Sequence, residues 1–281
     1  MRVLVTGSSG RIGGAIAARL SLRHQVTGYD LRPGPLTGVI GDVCDTTLLA
    51  AQCVGVDAVV HTAALHVPDL AARSAEDFRE INVLATRRLL EACGELGIRR
   101  FVYTSTTSLY GDALLPDSGA AVWVTEDLAP RPRDIYDETK LAAEAACRTA
   151  AQNGLPCISL RMSRCFPEEP RLLAIYRLYR GVDANDVAQA HELALGAAHA
   201  GFQAYNVSAP QPFAIADCRR LLTEADAVVQ ERFAWAPAEF ARRGWLLPRS
   251  IDRVYVVDKA ITALGYRPVH DFASLFRRQA A

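Results

Sequence analysis

Two of the 31 Lys and Arg residues in this chain are lysines, and each follows a tyrosine by four positions: Tyr136-Asp-Glu-Thr-Lys140 and Tyr255-Val-Val-Asp-Lys259. Arginine replaces lysine on most surfaces, whereas a compact ammonium that tunes a neighbour's proton affinity is hard to replace. On a helix, residues four apart share a face, so a phenol and an ammonium can converge on one site. A phenol ionises near pH ~10 and a nearby cation favours the phenolate, so such a pair makes a general base able to work near neutrality. Both pairs have the same spacing, so context has to choose between them.

The elements that would position such a pair are legible as short β-rich runs alternating with amphipathic stretches, the pattern of βαβ units around a parallel sheet. Strands are expected at about 2–6, 25–29, 38–41, 57–61, 100–105 and 156–161, with helices at about 11–22, 46–52, 75–96 and 136–152. Residues 111–135 carry Gly111, Pro116, Gly119, Pro130 and Pro132 and read as a loop, a mobile flap over a cleft. After Arg161 the pattern changes to an irregular stretch at 163–181, then a helix at 184–199, a strand at 203–207 and a helix after Pro212. A last short helix is expected to be capped by Asp258 and to stop at Gly265. The fold class is α/β: a doubly wound parallel sheet over residues 1–161, with a small C-terminal cap over 162–281 that binds substrate and is partly threaded back onto the sheet.

Composition excludes several function classes. Half of the residues are hydrophobic, 22% are charged, the formal net charge is zero and the pI is near 7.0. Nucleic acid and anionic membranes both call for clustered positive charge, so neither is expected as a partner. Seven dispersed cysteines without a CxxC fit free thiols in a reducing compartment, and no metal is expected. The N-terminus runs straight into strand-like Arg2–Thr6 without a charged-then-apolar leader, and no apolar run approaches a membrane span. A soluble cytoplasmic protein is the expectation.

Thr6-Gly7-Ser-Ser-Gly10-Arg-Ile-Gly13 follows the first strand and opens the first helix. Glycines there allow tight curvature and close backbone approach to a pyrophosphate resting on the helix N-terminus. An acid, Asp30, ends the next strand, where it can bond the adenosine ribose hydroxyls and repel a 2′-phosphate. NAD is therefore favoured over NADP, although Arg11 and Arg32 are each placed to pair with a phosphate. Asp42, after the third strand, either meets the adenine edge or serves as a turn or capping residue.

With Gly7, Gly10, Gly13, Asp30, Asp42-Val43, His61-Thr-Ala-Ala64, Asn82, Ser105-Thr106-Thr107-Ser108-Leu-Tyr-Gly111 and Tyr136-x-x-x-Lys140, the chain resembles the extended short-chain dehydrogenase/reductase family, the NAD-dependent epimerase/dehydratase group, down to Leu264-Gly-Tyr-Arg-Pro268. The resemblance implies a Rossmann fold, a homodimer formed through the helices at about 75–96 and 136–152, and NAD held by Gly7, Gly10, Arg11, Ile12, Gly13, Asp30, Asp42, Val43, Ala63, Tyr136 and Lys140. It implies Tyr136 as acid/base, Lys140 as the group that lowers its pKa and holds the nicotinamide ribose, and Thr106 as the hydroxyl on the reacting oxygen. This context selects Tyr136–Lys140 and leaves Lys259 as a first-turn surface residue.

About twenty residues separate Arg161 from Asp183, too few for the insertion with which nucleotide-sugar members grip a diphosphate. That shortened cap resembles hexuronate dehydrogenases, which oxidise free sugar acids. Met162-Ser-Arg-Cys-Phe-Pro167 followed by Arg171 is similar to their substrate segment, in which an Arg holds the carboxylate; Arg164 and Arg171 are either that group or solvated loop residues. His66 either lines the pocket or packs in its loop, and Asn82 sits mid-helix where it can bridge backbone groups. Thr107 and Ser108 fall at substrate-touching positions but replace the Asn and His of the hexuronate enzymes. The implied activity is hydride transfer between a sugar or sugar-acid hydroxyl carbon and the nicotinamide. A nucleotide-sugar epimerase or dehydratase is the alternative, and a non-catalytic dinucleotide-binding regulator a more distant one.

Overall fold

The computed structural model describes residues 1–277. Its strands are β1 (Arg2–Thr6), β2 (Gln25–Asp30), β3 (Thr37–Ile40), β4 (Ala58–His61), β5 (Arg100–Thr106), β6 (Val122–Val124), β7 (Cys157–Met162), β8 (Phe202–Val207) and β9 (Arg253–Tyr255). Seven of them form one parallel sheet in the order β3-β2-β1-β4-β5-β7-β8, and β6 pairs with β9 in a separate two-stranded sheet. The strand order reverses between β1 and β4, the switch point at which ligands of such sheets bind beyond the carboxyl ends of the strands.

Both faces of the sheet are covered, and the alternation of side chains shows how. Val3 and Val5 of β1, Ala58 and Val60 of β4, and Ile158 and Leu160 of β7 pack into one core with Ile16, Ala17 and Leu20. Leu4, Val59 and Cys157 point the other way, into a second core with Leu49, Leu89, Leu90 and Ala143. Strands buried on both sides read as continuous apolar runs, and each fully buried aliphatic side chain stabilises by about 1.5–3 kcal/mol.

The helices of the N-terminal part are α1 (Arg11–Ser21), α2 (Thr46–Cys53), α3 (Ala75–Arg79), α4 (Ala85–Glu95) and α5 (Ile135–Gln152). The helix expected at 75–96 is interrupted: Glu80–Leu84 forms a π-helical turn that separates α3 from α4. Asn82 lies in that turn, fully buried; its Oδ1 accepts from the Leu65 N–H at 2.8 Å and its Nδ2 donates to the Leu65 carbonyl at 3.0 Å. The extra backbone residue of a π turn aims one side chain out of the regular ladder. Here that side chain clamps the loop leaving β4.

The remaining α-helices among the described residues are α6 (Pro170–Arg177), α7 (Ala184–Gly196), α8 (Cys218–Thr223), α9 (Ala225–Arg232), α10 (Ala236–Arg242), α11 (Asp258–Leu264) and α12 (Ser274–Arg277). Helix α6 corrects the expectation of an irregular 163–181: Pro170 occupies its first turn and Glu169 caps it by accepting from the Arg171 N–H. The loop expected at 111–135 is corrected too. Within it Val122–Val124 pairs in parallel with β9, and Val124 packs with Leu109, Tyr110, Leu114 and Tyr255 in a small core of its own. That stretch is pinned to the tail rather than a free flap. Strand β8 joins the main sheet beside β7, and Leu221, Val228, Phe240 and Phe272 form a further core among the C-terminal elements.

Helix α11 begins at Asp258, so Asp258 is its first helical residue and Val257 stands at the cap, against expectation. Gly265 ends it in the left-handed conformation, φ 70°, as expected. Lys259 is exposed, and its Nζ donates to the Ala204 carbonyl at 2.9 Å, which ties α11 to β8. Among the described residues no helix is long and apolar enough to cross a membrane.

Candidate active site

The glycine turn sits at the carboxyl end of β1. Gly7 has φ +74°, and a Cβ built on Gly13 would stand 2.0 Å from the Gly7 carbonyl oxygen. The backbone therefore curls tightly over the start of α1, whose N-terminus no side chain among the described residues caps. Unpaired N–H groups and the helix dipole both favour an anion there.

Asp30 ends β2 beside this turn. One of its oxygens accepts from the Ser9 N–H at 2.9 Å and the other from the Arg32 N–H at 3.0 Å, which fixes the carboxylate while each oxygen keeps a further lone pair for a ribose hydroxyl. Arg11, expected at the cofactor, donates from a terminal guanidinium nitrogen to the Cys165 carbonyl at 2.6 Å and so links α1 to the segment after β7. Asp42 is exposed and accepts from the Cys44 N–H at 2.9 Å in a turn; Val43 beside it is buried. The Ala63 N–H lies 3.4 Å from the Thr6 hydroxyl, in a loop that Thr62 ties to the Thr6 carbonyl. An arrangement of free helix N–H groups, a glycine cradle a Cβ would fill and an oriented carboxylate suits a dinucleotide with a free 2′-hydroxyl. Replacing Asp30 by Ala removes hydrogen bonds to a charged acceptor worth about 2 kcal/mol each, so the preference for NAD over NADP in kcat/KM should fall roughly 30-fold or more. An unchanged ratio would mean that Asp30 does not read the ribose.

Tyr136 and Lys140 ride on α5. Asp134 caps that helix, its side chain accepting from the Asp137 N–H, and the buried stripe runs Tyr136, Lys140, Ala143, Cys147, Ala151. The two polar residues thus share the face that the alanines pack against the sheet. The Thr106 hydroxyl accepts from the Ser108 N–H at 3.0 Å, and its polarity acts on the Tyr136 phenol in favour of the phenolate.

Burial pushes the Tyr136 phenol up to about 12; the Thr106 bond opposes this, and the charges of Asp137 and Asp134 add to it. Burial also holds Lys140 down to about 7, against the pull of Glu144 and Cys147. The expected lowering of the phenol by the ammonium is not found. Lys140 Nζ instead donates to the Thr104 carbonyl at 2.7 Å and lies over the Tyr103 ring, 4.3 Å from its centre. In the protein alone the phenol is held neutral. An ammonium whose pKa drops on folding makes the unfolded state the stronger proton binder between pH about 7 and 10.5, so stability rises with pH across that window and the penalty is complete below it. Lys140→Met should therefore gain in melting temperature relative to the parent as pH falls from about 9 to about 6, and parallel melting curves across pH would refute this.

The candidate substrate residues fall into two groups. His66, after β4, has its ring 6.1 Å from Phe166, after β7. Arg164 stacks on Phe166 and on Tyr176, at 5.0 and 5.3 Å, and pairs with Glu168. The loops after β4 and β7 thus meet over the end of β5, which lies between them in the sheet. Arg171 is partly buried, and its Nε has no hydrogen-bond partner among the described residues. In the second group Thr107 is buried and Ser108 accepts from Arg133 at 3.2 Å. Sequence reasoning missed Arg133, Tyr176 and Glu168. Arg133 had a readable signal, since it stands three residues before Tyr136.

Beneath the site, Glu144 accepts from Ser159 at 2.8 Å and pairs with Arg161 at 2.8 Å, and Arg161 donates to the Tyr110 hydroxyl at 3.0 Å. His61 bridges the Thr6 and Thr86 hydroxyls and burial holds it neutral, at about 3.

Residues 3–172 match the profile of the NAD dependent epimerase/dehydratase family. The chain belongs to that family. Its cofactor is NAD, in keeping with the cradle described above. A curated relative, the 3-beta-hydroxysteroid dehydrogenase of Mycolicibacterium neoaurum, is 34% identical over 162 residues, which are 51% of this chain and 41% of that one. The alignment thus spans less than half of that relative. Among solved structures, a short-chain dehydrogenase/reductase superfamily protein from Agrobacterium tumefaciens with bound NAD superimposes with a TM-score of 0.74 at 24% identity, over 99% of this chain and 95% of that one. A mutated uronate dehydrogenase superimposes with a TM-score of 0.69 at 17% identity, over 100% of this chain and 86% of the other. Both likenesses are of fold.

Proposed function

We propose that this member of the family is an enzyme that transfers a hydride between a hydroxyl-bearing carbon of a sugar or sugar acid and NAD, with Tyr136 as acid/base. The observation that carries the reading is that Thr106, fixed by the Ser108 N–H at the carboxyl end of β5, acts on the buried phenol of Tyr136, which shares one buried face of α5 with Lys140. NAD when bound supplies the hydride acceptor and a positively charged ring. Tyr136 takes the proton of the substrate hydroxyl, Thr106 orients the same oxygen, and Lys140 holds the nicotinamide ribose. Burial favours the neutral phenol, so the phenolate is called up only once positive charge enters the cleft.

Three features support a sugar-type substrate. The segment between the end of β7 and Asp183 is short, Arg164 and Arg171 lie in it, and hydroxyls flank Thr106. A small polar substrate suits this better than an extended nucleotide sugar. Homodimerisation and a cytoplasmic location belong to the same proposal. Support for the dimer comes from a groove between the α3–α4 segment and α5, lined by Val83, Leu84, Ile135 and Ala142 and edged by Glu76, Arg87 and Glu138.

The test is NADH formation measured over sugar acids, neutral sugars and nucleotide sugars. Net NADH from a free sugar or sugar acid is the expected result. Conversion of a nucleotide sugar without net NADH would replace this reading by an epimerase or dehydratase, and NAD binding without any turnover would replace it by a regulator.

A further inference from the structure

Arg133 is outside every role assigned so far, yet its surroundings are those of a prepared anion receptor. It stands just before the Asp134 cap of α5, three residues from Tyr136. Its Nε donates to the Asp137 carboxylate at 3.2 Å, and its own N–H donates to the same oxygen at 3.3 Å. Asp137 is fully buried, whereas the Arg133 side chain is 43% exposed. The far edge of the guanidinium reaches Ser108 Oγ at 3.2 Å. Ser108 is the residue whose N–H bonds Thr106.

A surface arginine paired to a surface acid moves freely and contributes little. Arg133 differs because its partner is immobile, buried on the first turn of α5, and grips both its backbone and the near side of its guanidinium. Asp137 holds the near side and Ser108 one terminal nitrogen, so the fork is directed to the turn that bears Thr106 with its other terminal nitrogen unbonded among the described residues. Guanidinium forks match carboxylate and phosphate oxygens in pairs. Arg164 is held differently, paired with Glu168 and stacked on two rings.

We propose that Arg133, oriented by Asp137 and aided by Ser108, is a specificity residue that binds an anionic group of the substrate. The chemistry fits a carboxylate on the sugar or a phosphate attached to it. This inference rests on the hydride-transfer reading only for its kinetic arm.

The test compares the parent with Arg133→Ala and Arg133→Lys, all loaded with NAD. Calorimetric titration with a hexuronate, with the corresponding neutral hexose and with UDP reads binding alone, so it remains decisive even if no turnover is found. Arg133→Ala should weaken one anionic probe by about 30-fold or more, leave the neutral hexose within about 3-fold, and be partly rescued by Lys. Loss confined to the hexuronate identifies a carboxylate, and loss confined to UDP identifies a phosphate. Where turnover is measurable, KM for the anionic substrate should rise while kcat stays within about 3-fold. Equal losses for neutral and anionic probes, or a fall in kcat at constant KM, would make Arg133 a structural brace of α5 and overturn the proposal. Undiminished binding of all three probes would overturn it as well.

Discussion

Tyr136→Phe should lower kcat by about 10³-fold or more while leaving the Kd for NAD within about 3-fold. The size follows from removing the hydroxyl assigned to exchange the substrate proton, a contribution of about 10²–10⁴ in general acid–base catalysis. The selectivity follows from position. The ring of Tyr136 is buried on the stripe of α5 that packs against the sheet, and Phe keeps that packing. What is lost is the hydroxyl on which Thr106 acts, while the Ser108 N–H that holds Thr106 stays in place. The glycine turn and Asp30 lie on β1, α1 and β2 and do not depend on the phenol. Turnover and NAD titration on the same preparation check both halves of the expectation. Activity within tenfold of the parent would remove Tyr136 from the chemistry.

The second large effect concerns Gly13. Its substitution by Ala would place a methyl group 2.0 Å from the Gly7 carbonyl oxygen and 2.7 Å from the Thr62 hydroxyl oxygen. The first contact is backbone and cannot rotate away, so α1 must back off the turn. Overpacking of this kind costs about 1–3 kcal/mol or more, and the shift displaces the N–H groups that would receive the pyrophosphate. Weaker NAD binding by about 100-fold or more, with a lower melting temperature, is expected. Gly94→Ala is the matching control: it lies in α4 with nothing within 4 Å of the added carbon, so it should stabilise by about 0.5–1 kcal/mol. If the two variants behaved alike, the close approach at Gly13 would have no energetic content.

The sheet was legible because its physics is local. Runs such as Val3-Leu4-Val5 and Val59-Val60, rich in β-branched residues, read as strands buried on both sides, and the glycine turn and Asp30 follow from where those strands end. Three features were hidden for identifiable reasons. The π turn at Glu80–Leu84 carries no residue signature, since it differs from its neighbours by one hydrogen-bond step. Helix α6 lies under a Pro- and Arg-rich string whose Pro170 looks like a breaker but stands at the first turn, where its missing N–H costs nothing. Strand β6 is three residues long, and its partner is remote in sequence.

At the site, the spacing of Tyr136 and Lys140 was readable while the direction of the ammonium was not. That direction is set by the Thr104 carbonyl and the face of Tyr103, two groups on β5 that no i,i+4 argument contains. The same holds for Arg133. Its sequence position is visible, but only the burial of Asp137 distinguishes it from the other arginines of the surface.

The pairing of Val122–Val124 with Arg253–Tyr255 also sets an order of assembly. Synthesis runs from the N-terminus, and β1, α1, β2 and β4 can close the glycine cradle with neighbours already made. The turn holding Leu109 and Tyr110, directly after Thr107 and Ser108, is bonded to Arg161 once β7 is made, but its packing on Val124 and Tyr255 is completed only when residue 255 has left the ribosome. A contact spanning about 130 residues forms late and slowly. Nascent chains halted between β7 and β9 should therefore retain a dinucleotide yet be cut by protease within 111–135, and chains carried past β9 should resist there. The enzyme's cofactor half would thus be ready well before its substrate half, and quality control would meet a nucleotide-loaded intermediate.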